Sequence, residues 1–600
     1  MRARAGDPPR TMPQKILAGR AADPQLRGDL VQVKVDQVIL SRAPTRAYVE
    51  AIAAGLRKTP LEVAIAYDGT CVTDAPWNAA AAAGTAMSVV PEMVTAGIQI
   101  ARPGIGYPAP VHLERFASPA RLALTDDPRL APLGGVGMLV LVVSPGQLAQ
   151  ALVSGSVWLR PPRSVQILLS GRTRPFVCAR DVALELLRRG IGDVVRRIEA
   201  QYKAPVVLEF AGQSARLLNV SERAVLAGVA PMLGAQAGLF LSDEKTESFL
   251  RDQRRSKAHR TLFADQGAPC DDAVTLDLGA VDPLLLDEQG VVRPVRDLAG
   301  KPVHQAMLGG DSGTTLRDML AAAALLKSKR VPPKLDFLVA PPSRQVVEVL
   351  AQAGALADLA ATGARIIEPD RRTMTGEMYP APAGRTSIRT CDPEPLAPGF
   401  LVASAETLAY AVATGTIGDP RAFKRPVRVT IPRTLPTDDV LVVRERRGEP
   451  PLPKRDKPLA VAPAQGWKAA LTLDVVEGAP KPGQAAVLLL ASTDDHVRAA
   501  ATLAIEGDGA LRAVVAVFLP SGIASTLAGM GVATFQTDEA GLAALRGQKT
   551  IALPAPDKWT EPFAITVGKT KAMLTWAAVG AERAWTLSGT SRPAPAPPKR

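Results

Sequence analysis

Two short stretches of this 600-residue chain, and one scattered set of aspartates, carry side chains whose types and spacing suggest chemistry. Gly309-Gly310-Asp311-Ser312-Gly313-Thr314-Thr315 has the glycines and hydroxyls of a loop that cradles an anion. It lacks the lysine of a Walker loop, so a nucleotide site is discounted there. Asp494-Asp495-His496 places three metal-ligand types in a row. Consecutive side chains diverge, so a solvent-exposed loop is the simpler expectation for them. Asp126, Asp311 and Asp494, if the fold gathered them, would offer hard oxygen ligands suited to Mg²⁺ or Mn²⁺. Cys71, Cys178, Cys270 and Cys391 stand far apart with no CxxC spacing, which argues against a disulfide scaffold and a self-contained zinc site. His112, His259 and His304 are isolated, with no nucleophile to pair them.

The elements that must position these residues alternate. Expected strands lie at 31–40, 61–66, 138–143, 165–169, 206–210, 335–339 and 365–367, and further on at 486–490 and 513–518. Expected helices lie at 45–56, 179–190, 221–233, 244–257, 316–327 and 344–353, with Asp181 and Ser221 as N-terminal caps. Strand and helix in alternation imply an α/β fold with parallel sheets and crossover helices. At this length about three to five domains are expected. Hydrophobic content of 47% and charged content of 22% are those of an ordinary globular chain, and aromatic content of 4% leaves cores of Ala, Val and Leu. No apolar run is long enough to span a membrane, and no secretory signal is visible, so a cytoplasmic protein is expected. The net charge of +13 admits nucleic acid or an anionic metabolite as partner. With no long like-charge block it reads mainly as a spread surface, and Arg251, Arg254, Arg255 and Lys257 read as one solvated helix face.

Four segments, in order, carry a resemblance. Residues 149–190 (AQALVSGSVWLRPPRSVQILLSGRTRPFVCARDVALELLRRG), 207–250 (VLEFAGQSARLLNVSERAVLAGVAPMLGAQAGLFLSDEKTESFL), 401–420 (LVASAETLAYAVATGTIGDP) and 512–535 (RAVVAVFLPSGIASTLAGMGVATF) resemble the aconitase and 3-isopropylmalate dehydratase superfamily. The resemblance covers about residues 12–555. It implies three α/β domains and a swivelling fourth. The division expected is a disordered tail at 1–13, domains one and two over 14–300, and domain three over 301–440. A Pro-rich charged linker at 441–465 (RERRGEPPLPKRDKPLAVAP at 444–463), a swivel-like domain at 466–590 and a tail at 591–600 complete it. The family chemistry is dehydration and rehydration of a hydroxy-carboxylate at a [4Fe–4S] cluster, with a serine as base and arginines holding the carboxylates.

The same resemblance shows where this chain departs. The three cysteine slots of the cluster hold Asp311, Arg371 and Met374. Three thiolates are needed to hold such a cube, and an arginine is always cationic, so no conventional cluster is expected. The base serine falls at Asp494 or Asp495, and its neighbouring arginine at His496 unless Arg498 substitutes. The DSH motif becomes Asp126-Asp127-Pro128, the DH pair becomes Asp68-Gly69, and the expected glutamine is Ser41. Gly228 and Met232 stand in for Asn and Glu. Asp68, Asp126 and Arg385 are retained, with Arg180-Asp181 as a structural pair. The leading expectation is a family member that has lost hydro-lyase activity and serves binding or regulation. The alternatives are a divergent hydro-lyase of the aconitate hydratase or 3-isopropylmalate dehydratase type, and an RNA-binding relative that rests on charge and analogy.

Overall fold

The computed structural model describes residues 8–68, 89–395, 399–437, 439–445, 461, 464–481, 483–490, 495–559, 562–567 and 570–591, with the side chains of 495–498 outside that set. Strand and helix alternate as the sequence predicts, and the strands gather into four large sheets and one two-stranded ribbon. Short runs of Val, Leu, Ile and Ala, such as Leu139–Val142 and Gln305–Gly309, are buried on both faces, as parallel strands covered by helices require.

The first large sheet has the order 442–443, 99–101, 63–67, 37–40, 122–125, 139–142. All neighbours are parallel except the edge pair 442–443 with 99–101. The chain winds outward in one direction from 37–40 and in the other from 122–125. The topological switch point therefore lies between those two strands, at their carboxyl ends, where α/β sheets form crevices. Ser41 and Arg42 leave one strand there, and Asp126 and Asp127 leave the other.

A second sheet is wholly parallel, in the order 237–240, 206–211, 163–170, 272–277. The third runs 292–294, 284–286, 401–403, 387–389, 305–309, 336–340, 365–366. Its parallel part switches direction between 305–309 and 387–389, so Gly310-Asp311 and Thr390-Cys391-Asp392 emerge side by side. The fourth runs 550–553, 471–476, 486–489, 511–516, 533–536, 570–576, 563–567, and helix Asp495–Glu506 crosses from its third strand to its fourth.

Several expectations change. The strand expected at 31–40 breaks into 31–34, which pairs antiparallel with 156–159, and 37–40 in the first sheet. The helix expected at 221–233 ends at Gly228 and resumes as a 3₁₀ turn over 230–233. Its cap is Asn219, whose side chain accepts from the Glu222 N–H while Glu222 reaches back to Asn219 N, so Ser221 lies inside the helix. Cys178, not Asp181, is the N-cap of helix 179–188; Asp181 is the N3 partner that accepts from the Cys178 N–H. The tail expected through residue 13 is ordered from Arg10, whose N–H donates to Asp265, and Met12 opens a buried helix. Val442–Val443, expected in the linker, is an edge strand of the first sheet. The helix beginning at Glu244 stops at Asp252, and Arg255 turns inward to donate to the carbonyls of Leu113, Glu114 and Ala117. There it closes the end of helix 108–115 rather than facing solvent.

Candidate active site

The switch points of the first and third sheets face one another, and charged side chains fill the space between. Arg129, one turn past Asp126-Asp127, grips Asp311 with two parallel N–H groups, the second at 2.6 Å, and donates to the Asp392 carbonyl at 2.9 Å. Arg42 meets three carboxylates: Asp127 at 3.0 Å, Glu394 at 2.5 Å and Glu506 at 3.3 Å. Glu506 closes the helix 495–506 of the fourth sheet and also lies 3.7 Å from Arg371. Arg180 pairs with Asp392, which Ser312 Oγ also approaches at 3.0 Å. One ionic network thus ties segments of all four large sheets together. The cavity it leaves is about 30 Å³, lined by Arg42, Asp127, Arg129, Asp311, Arg371 and Glu394 among others.

The electrostatics follow from the pairing. Burial alone would lower the pKa of Arg42 and Arg129. The carboxylates around them reverse that, and both are held more firmly cationic than in water. Burial likewise opposes ionisation of Asp127, Asp392 and Glu394. Arg42 for Asp127 and Glu394, and Arg180 for Asp392, pull each below the usual carboxylate range. Glu506 goes the other way: burial outweighs Arg42 and Arg371, and its carboxyl is raised.

The residues singled out from sequence divide. Asp311, Arg371 and Met374 line the same cavity. Asp311 is neutralised by Arg129, Arg371 faces Glu506, and Met374 is buried in an apolar nest with Tyr107, Met307, Leu338, Ile367 and Cys391. Cys391 is a correction. The sequence offers no thiol near these slots, yet its Sγ would lie 3.0 Å from a Cβ placed on Gly310, with the Met374 methyl at 3.5 Å. Burial pushes that thiol up to about 12.

Asp126 accepts from the N–H groups of Ser41 at 2.9 Å and Ala43 at 2.8 Å, so it fastens one crevice loop to the other. Burial raises its carboxyl to about 6 in spite of those bonds. With Asp126 so bonded and Asp311 clamped by Arg129, the hard-ligand grouping with Asp494 does not form from these two. Asp494 lies outside the described residues, as do the side chains of Asp495, His496 and Arg498 and the Gly69 of the former DH pair. Asp68 is half-buried at the end of strand 63–67. Arg385 is exposed in a turn closed by its N–H to the Pro382 carbonyl, away from the network. The arginine that matters on that strand is Arg389, fully buried, donating to Thr373 and Tyr379 carbonyls and to Gln305 Oε1. Arg180 and Asp181 do not pair with each other: Asp181 accepts from Cys178 N and Leu284 N. Arg42, Arg129, Asp392, Glu394 and Glu506 were not singled out from sequence. Their one visible signal was position, just after strand ends or at the end of a crossover helix.

Comparisons with known proteins bear on this geometry. The model of the family described as "Aconitase family (aconitate hydratase)" matches residues 86–289. The 3-isopropylmalate dehydratase large subunit 2 of Archaeoglobus fulgidus is 28% identical over 427 residues, covering 69% of this chain and 99% of that protein. The large subunit 1 of Deinococcus radiodurans is 30% identical over 367 residues, 60% of this chain and 80% of that one. The homoaconitase large subunit of Thermus thermophilus is 29% identical over 370 residues, 60% and 83%. A solved structure, Thermococcus kodakaraensis aconitase X in its holo-form, superposes on 66% of this chain and 90% of that one with a TM-score of 0.34 and 11% identity, too loosely to add to the argument.

Proposed function

The chain belongs to the aconitase family, and from that premise we propose that it is a divergent hydro-lyase acting on a hydroxy-carboxylate at the crevice where the two switch points meet. Support comes from relatives named as dehydratases, one of them matched almost end to end. The geometric observation that carries the proposal is a set of guanidiniums, Arg42, Arg129 and Arg371, held at the interdomain crevice. Planar cationic forks are what bind carboxylates.

The residues present do not fit the family's iron–sulfur cube. Its three thiolate positions hold a clamped carboxylate, a guanidinium and a buried thioether, and the thiol of Cys391 beside them is held protonated by burial. No step is therefore routed through a cluster. In this reading Glu506 occupies the place of a substrate carboxylate. It is the carboxylate of the network that burial holds above the usual range in spite of its arginines, and it is carried by a helix of the fourth unit. Withdrawing that helix would free one face of Arg42 and of Arg371 for a substrate carboxylate. The cavity of about 30 Å³ holds no such substrate until this happens.

A second reading, a fold retained for binding after loss of the lyase reaction, is favoured by one observation: Asp311 at a former ligand position is neutralised by a two-pronged ion pair. One experiment separates the two. Purified protein is mixed with a panel of 2- and 3-hydroxy di- and tricarboxylates, and the conjugated alkene-carboxylate product is followed by ultraviolet absorbance. Iron and sulfide are determined on the same sample. Turnover without stoichiometric iron supports the divergent lyase. No turnover with any member rejects it in favour of the binding reading, and turnover that tracks a full cluster overturns the donor-set argument.

A further inference from the structure

Away from the crevice, three helices begin at one point: Ala179–Arg188 behind its cap Cys178, Leu316–Leu326 behind Thr315, and Ala405–Thr414 behind Ser404. Their first turns carry Cys178, Asp318 and Glu406, whose ligand atoms all lie within 4.8 Å of one another. Asp318 uses one oxygen to accept from the Thr315 N–H. Glu406 Oε2 is buried and has no hydrogen-bond partner among the described residues. A buried carboxylate oxygen left unpaired costs a desolvation penalty that a protein ordinarily avoids, so it marks a place where something should bind.

We propose that Cys178, Asp318 and Glu406 hold a divalent transition-metal ion of the zinc type, through one thiolate and two carboxylates, with a further position open to water. The donor set is mixed soft and hard, which suits zinc and disfavours Mg²⁺ or Ca²⁺. In a tetrahedral shell with bonds of about 2.0–2.3 Å the donors stand about 3.5 Å apart, so these side chains need to close by at most about 1.3 Å. Cys178 and Glu406 each keep part of their surface exposed, which gives the ion a way in.

The charge balance at the site agrees. Burial first, then mutual repulsion among Asp181, Asp318 and Glu406, raises the Glu406 carboxyl to about 8, and burial raises Asp318 to about 6; Arg317 pulls weakly the other way. Cys178 is pushed well above the ordinary thiol range by burial and the same carboxylates. Such a group of acids needs either several protons or one cation. Helices 316–326 and 405–414 flank the third sheet and pack on one another, while 179–188 follows the first strand of the second sheet. The ion would therefore fasten two units of the molecule together. None of these three residues lines the crevice cavity, and the proposal does not depend on the lyase reading. Its ligands come from three distant segments, which is why no spacing motif announces it.

The test uses the full chain, stripped with a chelator and titrated with Co²⁺, because a thiolate bound to cobalt gives a charge-transfer band in the near ultraviolet. The expected result is one equivalent of Co²⁺ with that band, displaced by Zn²⁺. Cys178→Ser should abolish the band, Glu406→Gln should weaken Co²⁺ binding about tenfold or more, and Cys71→Ser, Cys270→Ser and Cys391→Ser should leave it intact. Circular dichroism checks that each variant is folded. If Cys178→Ser does not fold, the Glu406→Gln titration decides by itself. No band in the wild-type chain, a band that survives Cys178→Ser, or Co²⁺ affinity unmoved by Glu406→Gln would each overturn the proposal.

Discussion

Arg129 and Asp311 show how a buried ion pair can fasten two crevice loops to each other. Both side chains are largely buried, at 17% and 7% exposure, and each is the other's main counter-charge. Removing one member of such a pair leaves an uncompensated charge, at a cost of about 3 kcal/mol or more, whereas replacing both by apolar groups of similar volume is often neutral. Asp311→Ala should therefore lower stability to denaturant by about that amount, and Arg129→Met combined with Asp311→Leu should recover most of it. A double variant no more stable than the single would mean that Asp311 matters for some reason other than its pairing. Cys391 offers a second check at this scale. Fully buried, with its thiol pushed up to about 12, it should stay unlabelled by a thiol-specific reagent at neutral pH in the folded protein and react only on unfolding. The sequence made Asp311, Arg371 and Met374 visible as displaced cysteines. It could not show their partners, because ion pairs across hundreds of residues leave no local pattern. Glu506 and Arg42 are separated by 464 positions.

The elements explain why the glycines of the Gly309–Gly313 loop need no nucleotide. Gly309 has φ of +107°, and a Cβ there would lie 1.9 Å from the Ala340 carbonyl oxygen of the neighbouring strand. Gly310, at φ +103°, would meet the Cys391 Cβ at 2.5 Å. Only glycine lets strand 305–309 end this close to its two parallel neighbours and turn into the crevice. Gly309→Ala should consequently cost about 2 kcal/mol or more, in contrast to the gain of a few tenths that the same change brings at a site with ordinary φ; chemical denaturation measures it. An unchanged midpoint would show that the strand end can shift. Element types and order were legible because each apolar run is short, bounded and buried on both faces. Boundaries were less so: the break at 35–36 inside the run 31–40 arises because Val31–Lys34 pairs with 156–159, a contact from another part of the chain. The caps were misplaced by two or three residues for a similar reason. Asn219 and Glu222 form a reciprocal pair, and the Ser221 hydroxyl that looked like a cap lies inside the first turn.

At the scale of the molecule, buried acids set the pH response. Glu114 and Asp181 are raised to about 7 and Glu199 to about 8, each by burial first. Asp126 at about 6 and Glu406 at about 8 join them. A carboxyl whose folded pKa exceeds its unfolded value holds its proton better in the folded state. Its contribution is complete below about pH 4 and is lost as pH rises through about 6 to 8. His112 acts in the opposite direction. It is buried between Tyr67 Oη at 3.1 Å and Gln37 Oε1 at 2.8 Å, and burial lowers it to about 3, so its contribution is intact above about 6.5 and is lost as pH falls towards 3. Asp127, Asp392 and Glu394, held low, also lose stabilisation on acidification. The two sets together place maximum stability in acidic solution, near pH 4 to 5, where the lowered carboxyls are ionised and the raised ones still hold their protons, with a decline towards pH 8. Thermal unfolding of the chelator-treated chain across that range should show the decline. Adding Zn²⁺ should flatten it, because a cation at Cys178, Asp318 and Glu406 would replace the protons that these acids and the adjacent Asp181 otherwise need. A decline of the same slope with and without Zn²⁺ would leave Glu114, Glu199 and Asp126 as its source and count against the metal site. Stability rising steadily from pH 5 to 8 would mean that the buried carboxyls are compensated by cations in the folded chain.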